Sequence, residues 1–437
     1  MQNKNTKKPA NIKTSFDSKS LTNFSGIKVI ANFMRKIGLE TMFNMIDLNL
    51  HHNIKFTNFQ IFSTIILGIF SGFNRVSKIE SFSRDPLIQK LLCLTTNIDA
   101  DTILNRIKRL GMNENNQIMN INGKLSSKVH EKLKTNSDIL DLDSTVHTLY
   151  GHQEGVAKGF NSSKKGAKSY HPIMCFLNST KECLLSWLRP GDTYTANNSH
   201  GFIEQAFGLL PSGIKNLLVR ADSGFFNDKL LQVIESRANT QYLIKVKLKN
   251  LNSLLSSQNW ESIPAMPNWQ MTEFMYKCAD WKKARKFVAL RKRVLVHTED
   301  GLFKTHYYYE YFCYVTDIYA SPLEIHHLYG DRGESENWIE QVKRQMFAGS
   351  MITQDFWANE TLWQMSVLAY NLSLWMRKLS DEKSWREEPN TFRAWFVQVA
   401  GKIVINGRTL WLKMYEAYHY KDRWLKIEKA VENLVFA

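Results

Sequence analysis

Apolar residues recur at helical spacing through the first third of the chain and at strand spacing through the middle. In VIANFMRKIGLETMFNMI, the side chains of Val29, Ile30, Phe33, Met34 and Ile37 fall on one helical face. Further helical stretches are expected at 59–73, 86–92, 99–110 and 117–134, with Asp101 as an N-cap. The period changes at Asp138. Three β-rich runs, 138–151, 169–179 and 183–191, read as an antiparallel meander. A helix at 200–210, a strand at 215–224, a helix at 227–237 capped by Asn227 and a strand at 241–249 complete the order β-β-β-α-β-α-β. The strand at 215–224 is apolar on both faces and therefore central.

A segment rich in Ser, Asn and Pro (252–268) precedes three more strand-like runs at 269–281, 286–296 and 307–317, read as a small β-insertion. Helices resume at Pro322 and Glu334, then at 355–378 and over 391–435. The chain thus divides into five segments. Residues 1–134 form a basic arm and a helical, DNA-binding unit, and 135–251 form the first part of an α/β core. A β-rich insertion occupies 252–318, the rest of the core 319–380, and C-terminal helices with a candidate dimerisation surface 381–437. Trp395, Phe396, Trp411 and Tyr415 mark that surface, with an ordinary helical core as the competing reading. Within the first segment, helices at 86–97 and 99–110 are read either as a helix-turn-helix presenting Thr102, Arg106 and Lys108 to DNA or as a solvated basic face.

Charge sharpens the picture. The 437 residues carry 57 Lys plus Arg against 41 Asp plus Glu, a net charge of +16, which calls for a polyanionic partner. A hydrophobic content of 43% excludes a disordered chain. The most apolar run, 61–73, falls short of the ~18 residues of a membrane span. The N-terminal 20 residues have five lysines and no apolar h-region, so neither a membrane nor secretion is expected. Five cysteines without a CxxC pair signal neither disulfides nor a zinc site and fit a reducing cytoplasm.

The candidate chemistry is acidic. Asp141 and Asp143 stand two apart on an apolar strand and share a face, where a buried carboxylate is costly unless paired or bound to metal. Asp222 closes a second apolar strand, at the end where open α/β sheets present ligand groups. In 329–347, a helix from Glu334 places Glu336 and Glu340 on one face with Lys343 or Arg344. Lys282, Lys283, Arg285, Lys286, Arg291, Lys292 and Arg293 form one basic cluster, and Lys158, Lys164, Lys165 and Lys168 a second. Trp260, Trp269 and Trp281 are either core aromatics or, for one of them, a stacking partner for a base flipped during cleavage. The histidines form no site.

The segments DLDST (141–145), VRADSGF (219–225) and the set Tyr329, Arg332, Glu336, Lys343 at spacings Y-x2-R-x3-E-x6-K resemble the bacterial insertion-sequence transposases of the DDE type. Within these they resemble the group with a Y–R–E–K signature, to which 151–172 and LAYNL (368–372) are also similar. The resemblance implies an α/β fold. Its core would be an RNase H-like mixed five-stranded sheet flanked by helices, with an N-terminal helical domain and a β-rich insertion before the glutamate helix. It implies that Asp143, Asp222 and Glu336 are catalytic and hold Mg2+ or Mn2+, two ions in all. Tyr329, Arg332 and Lys343 would bind DNA phosphates, and Asp141 is a candidate supporting acid. Thr145 favours Asp143 over Asp141 as first ligand, though sequence leaves the choice open. Double-stranded DNA (element inverted repeats and target) would be the partner of a homodimer, in a cytoplasmic, nucleoid-associated bacterial setting. Two alternatives stay open: an RNase H-like nuclease without strand transfer, and a non-catalytic DNA-binding repressor derived from a transposase.

Overall fold

The computed structural model describes residues 13–48, 50, 54–161, 164–264, 266–296 and 306–436. Residues 1–12 of the basic arm lie outside the described residues. The N-terminal third is helical, with α1 (Ile27–Lys36), α2 (Asn58–Ser71), α3 (Ala100–Ile107) and the long α4 (Met112–Leu133) as its main elements. α2 starts at a capping box between Thr57 and Gln60, ends at Gly72 in the left-handed region, and is buried on nearly every side. The cap of α3 is Asp99 rather than Asp101, because Asp99 accepts the Thr102 N–H at 2.7 Å. Arg106 does not face outward as the helix-turn-helix reading requires. It is buried and donates to Asn58 Oδ1 (2.6 Å) and the Phe56 carbonyl (2.9 Å), holding α3 to the start of α2.

The middle of the chain builds one mixed sheet. Its strands are β1 (Ser137–Ser144), β2 (Ile173–Leu177), β3 (Glu182–Trp187), β4 (Asn216–Ala221), β5 (Thr240–Lys245), β6 (Glu261–Ser262), β7 (Trp269–Tyr276), β8 (Arg285–Val296) and β9 (His306–Thr316). Their order is β6-β7-β8-β9-β5-β4-β1-β2-β3, with β1, β2 and β3 antiparallel and β1, β4 and β5 parallel. Helices α5 (Ser199–Leu209) and α6 (Asp228–Ser236) cross between strands and cover one face through Phe202, Ile203, Leu230 and Leu231.

The sheet therefore has nine strands rather than five. The insertion is not a separate body: β9 pairs with β5 at Tyr314–Lys245, Val315–Ile244 and Thr316–Leu243. The physical reason is the open edge that β5 would otherwise present, a row of unpaired backbone groups that the insertion covers.

The opposite edge, β3, is closed by side chains. After α7 (Pro322–Gly330) and α8 (Glu334–Glu340), the 25-residue α9 (Phe356–Ser380) runs beside β3. Asn371 accepts the Cys183 N–H (2.9 Å) and donates to its carbonyl (2.7 Å), while Asn122 of α4 reaches the Cys183 and Leu184 carbonyls, both at 3.0 Å. Gln364 donates to the Ser186 carbonyl and Glu360 accepts the Leu188 N–H, both at 2.8 Å. Buried polar residues on an otherwise apolar helix are thus spent on the backbone of an edge strand.

The C-terminal segment departs from the expected helices. β10 (Gly401–Asn406) and β11 (Thr409–Met414) form a hairpin, onto which Leu21–Thr22 adds as a third strand, before α10 (Lys421–Asn433). The β-branched run Ile403–Val404–Ile405 followed by Asn406–Gly407 is a hairpin signal that the helical reading passed over. Trp395 and Phe396 are buried, whereas Ile405, Leu410, Trp411 and Tyr415 are exposed. Among the described residues no single helix is long and apolar enough to cross a membrane. The one bent pair that passes on length and composition, α2 with Val76–Phe82, includes the almost wholly buried α2.

Candidate active site

Three segments bring the sequence-predicted acids to one end of the sheet. β1 and β4 are parallel neighbours, with Asp141 opposite Arg220 and Leu142 opposite Ala221, so Asp143 and Asp222 emerge side by side at their carboxyl ends. Asp222 directly follows β4 and caps the turn Ser223–Phe225, accepting the Gly224 N–H at 2.9 Å. A Cβ at Gly224 would stand 3.0 Å from Asp222 Oδ1 and from Thr195, so a side chain there would have to displace these neighbours by a few tenths of an ångström. α8 carries Glu336 on an exposed turn above β1.

Asp143 is 7% exposed. Burial, with Asp222 and Glu336 adding like charge, pushes its carboxyl up to about 6, against the opposing pull of Arg332. Arg332 is itself buried, 3.0 Å from Asp143 Oδ2, and donates to the Leu142 carbonyl at 2.9 Å. One terminal nitrogen of its guanidinium thus serves both the first aspartate and its strand, while its Nε is buried without a hydrogen-bond partner among the described residues. Tyr329 is half-buried, its ring 4.7 Å from that of Tyr314, and burial raises its hydroxyl to about 12. Lys343 lies in a π-helical turn, Gln341–Gln345, and donates to Thr145 Oγ1 (3.0 Å) and the Val146 carbonyl (3.1 Å). Asp141 is fully buried, with both oxygens taken by Arg220 (2.7 and 2.8 Å), which also donates to the Leu328 carbonyl at 2.6 Å. It braces β1, β4 and α7 from behind.

An open cleft of about 730 Å³ adjoins these groups, lined by Ser144, Thr145, His171, Thr195, Asp222 and Lys343. One wall is a loop whose support the sequence reading missed. Buried Arg189 donates to the carbonyls of His171 (3.0 Å), Tyr194 (3.4 Å), Thr195 (3.4 Å) and Asn197 (3.2 Å). His171 Nδ1 meets the Thr193 carbonyl at 2.5 Å, and Thr195 Oγ1 meets Ser144 Oγ at 2.9 Å. Like Arg220, Arg189 was visible as a lone cation in an apolar run. The sequence holds no sign of which carbonyls it gathers.

A hard divalent cation suits two adjacent carboxylates of like charge, one of them pushed up by burial. As the side chains lie, no group of three His, Cys, Asp or Glu among the described residues is drawn close enough to hold a metal. Asp143 and Asp222 lie at neighbouring strand ends, and Glu336 is exposed on α8.

The basic cluster on β8 is partly absorbed by the fold. Arg285 is buried between Glu235 (2.7 Å) and Asp228 (2.6 Å) and stacks over Trp281 at 4.6 Å. The three insertion tryptophans are engaged in packing: Trp281 against Phe226 and Phe287, Trp269 against Phe312, and Trp260 against Tyr311.

No curated protein matches the chain by sequence. A cryo-EM structure of the piggyBac transposase synaptic complex with hairpin DNA is similar at 12% identity and a TM-score of 0.43, over 86% of this chain and 81% of that one. The family model described as transposase DDE domain, group 1, matches residues 4–436. With that match spanning nearly its whole length, the chain belongs to the DDE transposases.

Proposed function

We propose that this transposase binds double-stranded DNA at the inverted repeats of its own element and cuts it at Asp143, Asp222 and Glu336. The freed 3′-hydroxyl is then joined to target DNA. The observation that carries the reading is the meeting of two aspartates at adjacent parallel strand ends, with a glutamate on the flanking helix, beside an open cleft. Strands β1 to β5, in the succession β-β-β-α-β-α-β, support the finer description of an RNase H-like core within the larger sheet. Five units, 1–134, 135–251, 252–318, 319–380 and 381–437, are proposed as its working parts, the last with the exposed hairpin residues Ile405, Leu410 and Trp411 as a homodimer contact.

The three carboxylates would hold two Mg2+ or Mn2+ ions, which supply charge stabilisation to both oxygens of an in-line displacement. Arg332 keeps Asp143 oriented and favours its ionised form. Lys343 ties α8 to the end of β1 and offers a cation at the cleft wall. The Arg189-held loop fixes Thr195 over Ser144 and so shapes the floor on which a phosphate would lie.

Incubation with DNA carrying the element ends, with and without Mg2+, tests the reading. Breaks at the ends only with Mg2+ support it, and retarded but uncut DNA overturns it. Lys343→Ala is expected to weaken DNA binding and to reduce the slope of log K against log salt by about one, measured by anisotropy from low to moderate salt.

The acid titration of Asp143 gives a further expectation. Its folded value of about 6 lies above the ordinary aspartate value of 3.8, so the folded protein binds this proton more tightly than the unfolded chain. Ionised Asp143 therefore costs stability in the metal-free protein as pH rises through about 6. A cation that binds the ionised form restores it. Saturating Mg2+ is expected to raise Tm more at pH 7.5 than at pH 5.5. An equal rise at both pH values would contradict the assignment of Asp143 as a ligand.

A further inference from the structure

The insertion hairpin carries a feature that no part of the cleavage chemistry uses. β5 is parallel to β1 and β4, so its last residue, Lys245, lies at the sheet end where Asp143 and Asp222 emerge. Antiparallel β9 pairs Tyr314 with Lys245, so the residues before Tyr314 run past that end. From Tyr314 back to Tyr307 is seven residues, an overhang of about 23 Å at strand rise.

On one face of the overhang the cross-strand pairs are Arg291–Tyr311, Arg293–Tyr309 and Leu295–Tyr307. Tyr307, Tyr309 and Tyr311 make a row with ring centroids 5.7 and 6.3 Å apart, continued by Trp260 at 5.9 Å from Tyr311. Arg291 lies between Trp260 (4.5 Å) and Tyr309 (4.2 Å) and is pinned by Gln270 at 2.7 Å. Arg293 stands over Tyr307 at 5.6 Å. The row is packed at its inner end and open at its outer end, where Tyr307 is 57% exposed. Among the described residues of this overhang the one acid, Glu310, pairs with Lys292 on the opposite face.

We propose that this tyrosine–arginine row is a stacking platform for an unpaired DNA strand at the active-site end of the sheet. The inference rests on the reading of the chain as a transposase acting on DNA. Aromatic rings held by guanidinium groups offer π-faces and positive charge together, which single-stranded nucleic acid satisfies and an apolar partner does not. Duplex bases hide their faces in the stack, so the row selects nucleotides that have been unpaired. Pinning by Arg291 means the inner rings lose little freedom when a base arrives.

The test uses the full chain and labelled oligonucleotides of one length, single-stranded oligo-dT and a duplex, with affinity read by anisotropy. The pair Tyr307→Ala and Tyr309→Ala is expected to weaken oligo-dT binding at least tenfold, at about fivefold or more per ring. Duplex binding should change less than twofold. Tyr307→Phe with Tyr309→Phe keeps the rings and is expected to bind as the parent does. Oligo-dT affinity within twofold of the parent in the alanine pair overturns the proposal, as does an equal loss for duplex or for the phenylalanine pair. A changed sedimentation coefficient with unchanged oligo-dT affinity also overturns it, showing the row to be a contact between copies. Should the alanine pair not fold, Arg293→Ala decides: a threefold or greater loss supports the platform and no loss overturns it. Mg2+-dependent cleavage by the parent protein is scored separately, so its absence counts against the transposase reading and leaves the platform to be judged by binding.

Discussion

Asp222→Asn is expected to abolish Mg2+-dependent cleavage at the element ends, a loss of at least ~10³-fold, because several kcal/mol of charge stabilisation reach the reaction only through the metal ligands. DNA binding should persist, since the substitution removes one charge at a half-buried strand end and leaves the cap on Gly224 available to the asparagine oxygen. Glu336→Gln is expected to match it in activity and to leave stability unchanged, because the side chain is exposed. Asp143→Asn should be equally inactive. Because ionised Asp143 costs stability above about pH 6, the neutral amide is expected to raise the metal-free Tm at pH 7.5 for this variant alone. Single-turnover cleavage beside thermal melts separates the three. Normal cleavage by the Asp222 variant would remove Asp222 from the site.

Arg220→Ala should destabilise the fold by about 3–5 kcal/mol, the cost of leaving Asp141 buried without its counter-ion. Both groups are fully buried, and Arg220 also holds the Leu328 carbonyl of α7. The double change Asp141→Leu with Arg220→Met removes both charges at similar volume and should recover much of that loss. Urea unfolding of Asp141→Leu, of Arg220→Met and of the double variant checks this as a cycle. If Asp141 instead contributes directly to metal binding, the stable double variant would lose Mg2+-dependent Tm elevation. Its retention assigns Asp141 to bracing alone.

How far the amino-acid sequence reached differs from element to element, for physical reasons. Alternation and apolar runs placed β1 to β5 and their two crossover helices, because strand and helix periods are local properties of the chain. The same local rule went astray at 401–414, where aromatic and aliphatic spacing was read as helix although Asn406–Gly407 marks a hairpin turn. That the β-insertion joins the main sheet was not legible. Whether β5 is left as an edge depends on which strand arrives beside it, a matter of pairing between residues some 70 positions apart.

At the candidate site, the sequence by itself determined which acids are available and that Asp143 and Asp222 close apolar strands. Only the tertiary structure decided their surroundings. Arg332 proved to be turned inward onto Asp143, Asp141 was taken by Arg220, and Arg189 was found gathering the loop that walls the cleft. Such partners are chosen by burial, because a charge removed from water must find its counterpart in space, and sequence distance carries no record of that search.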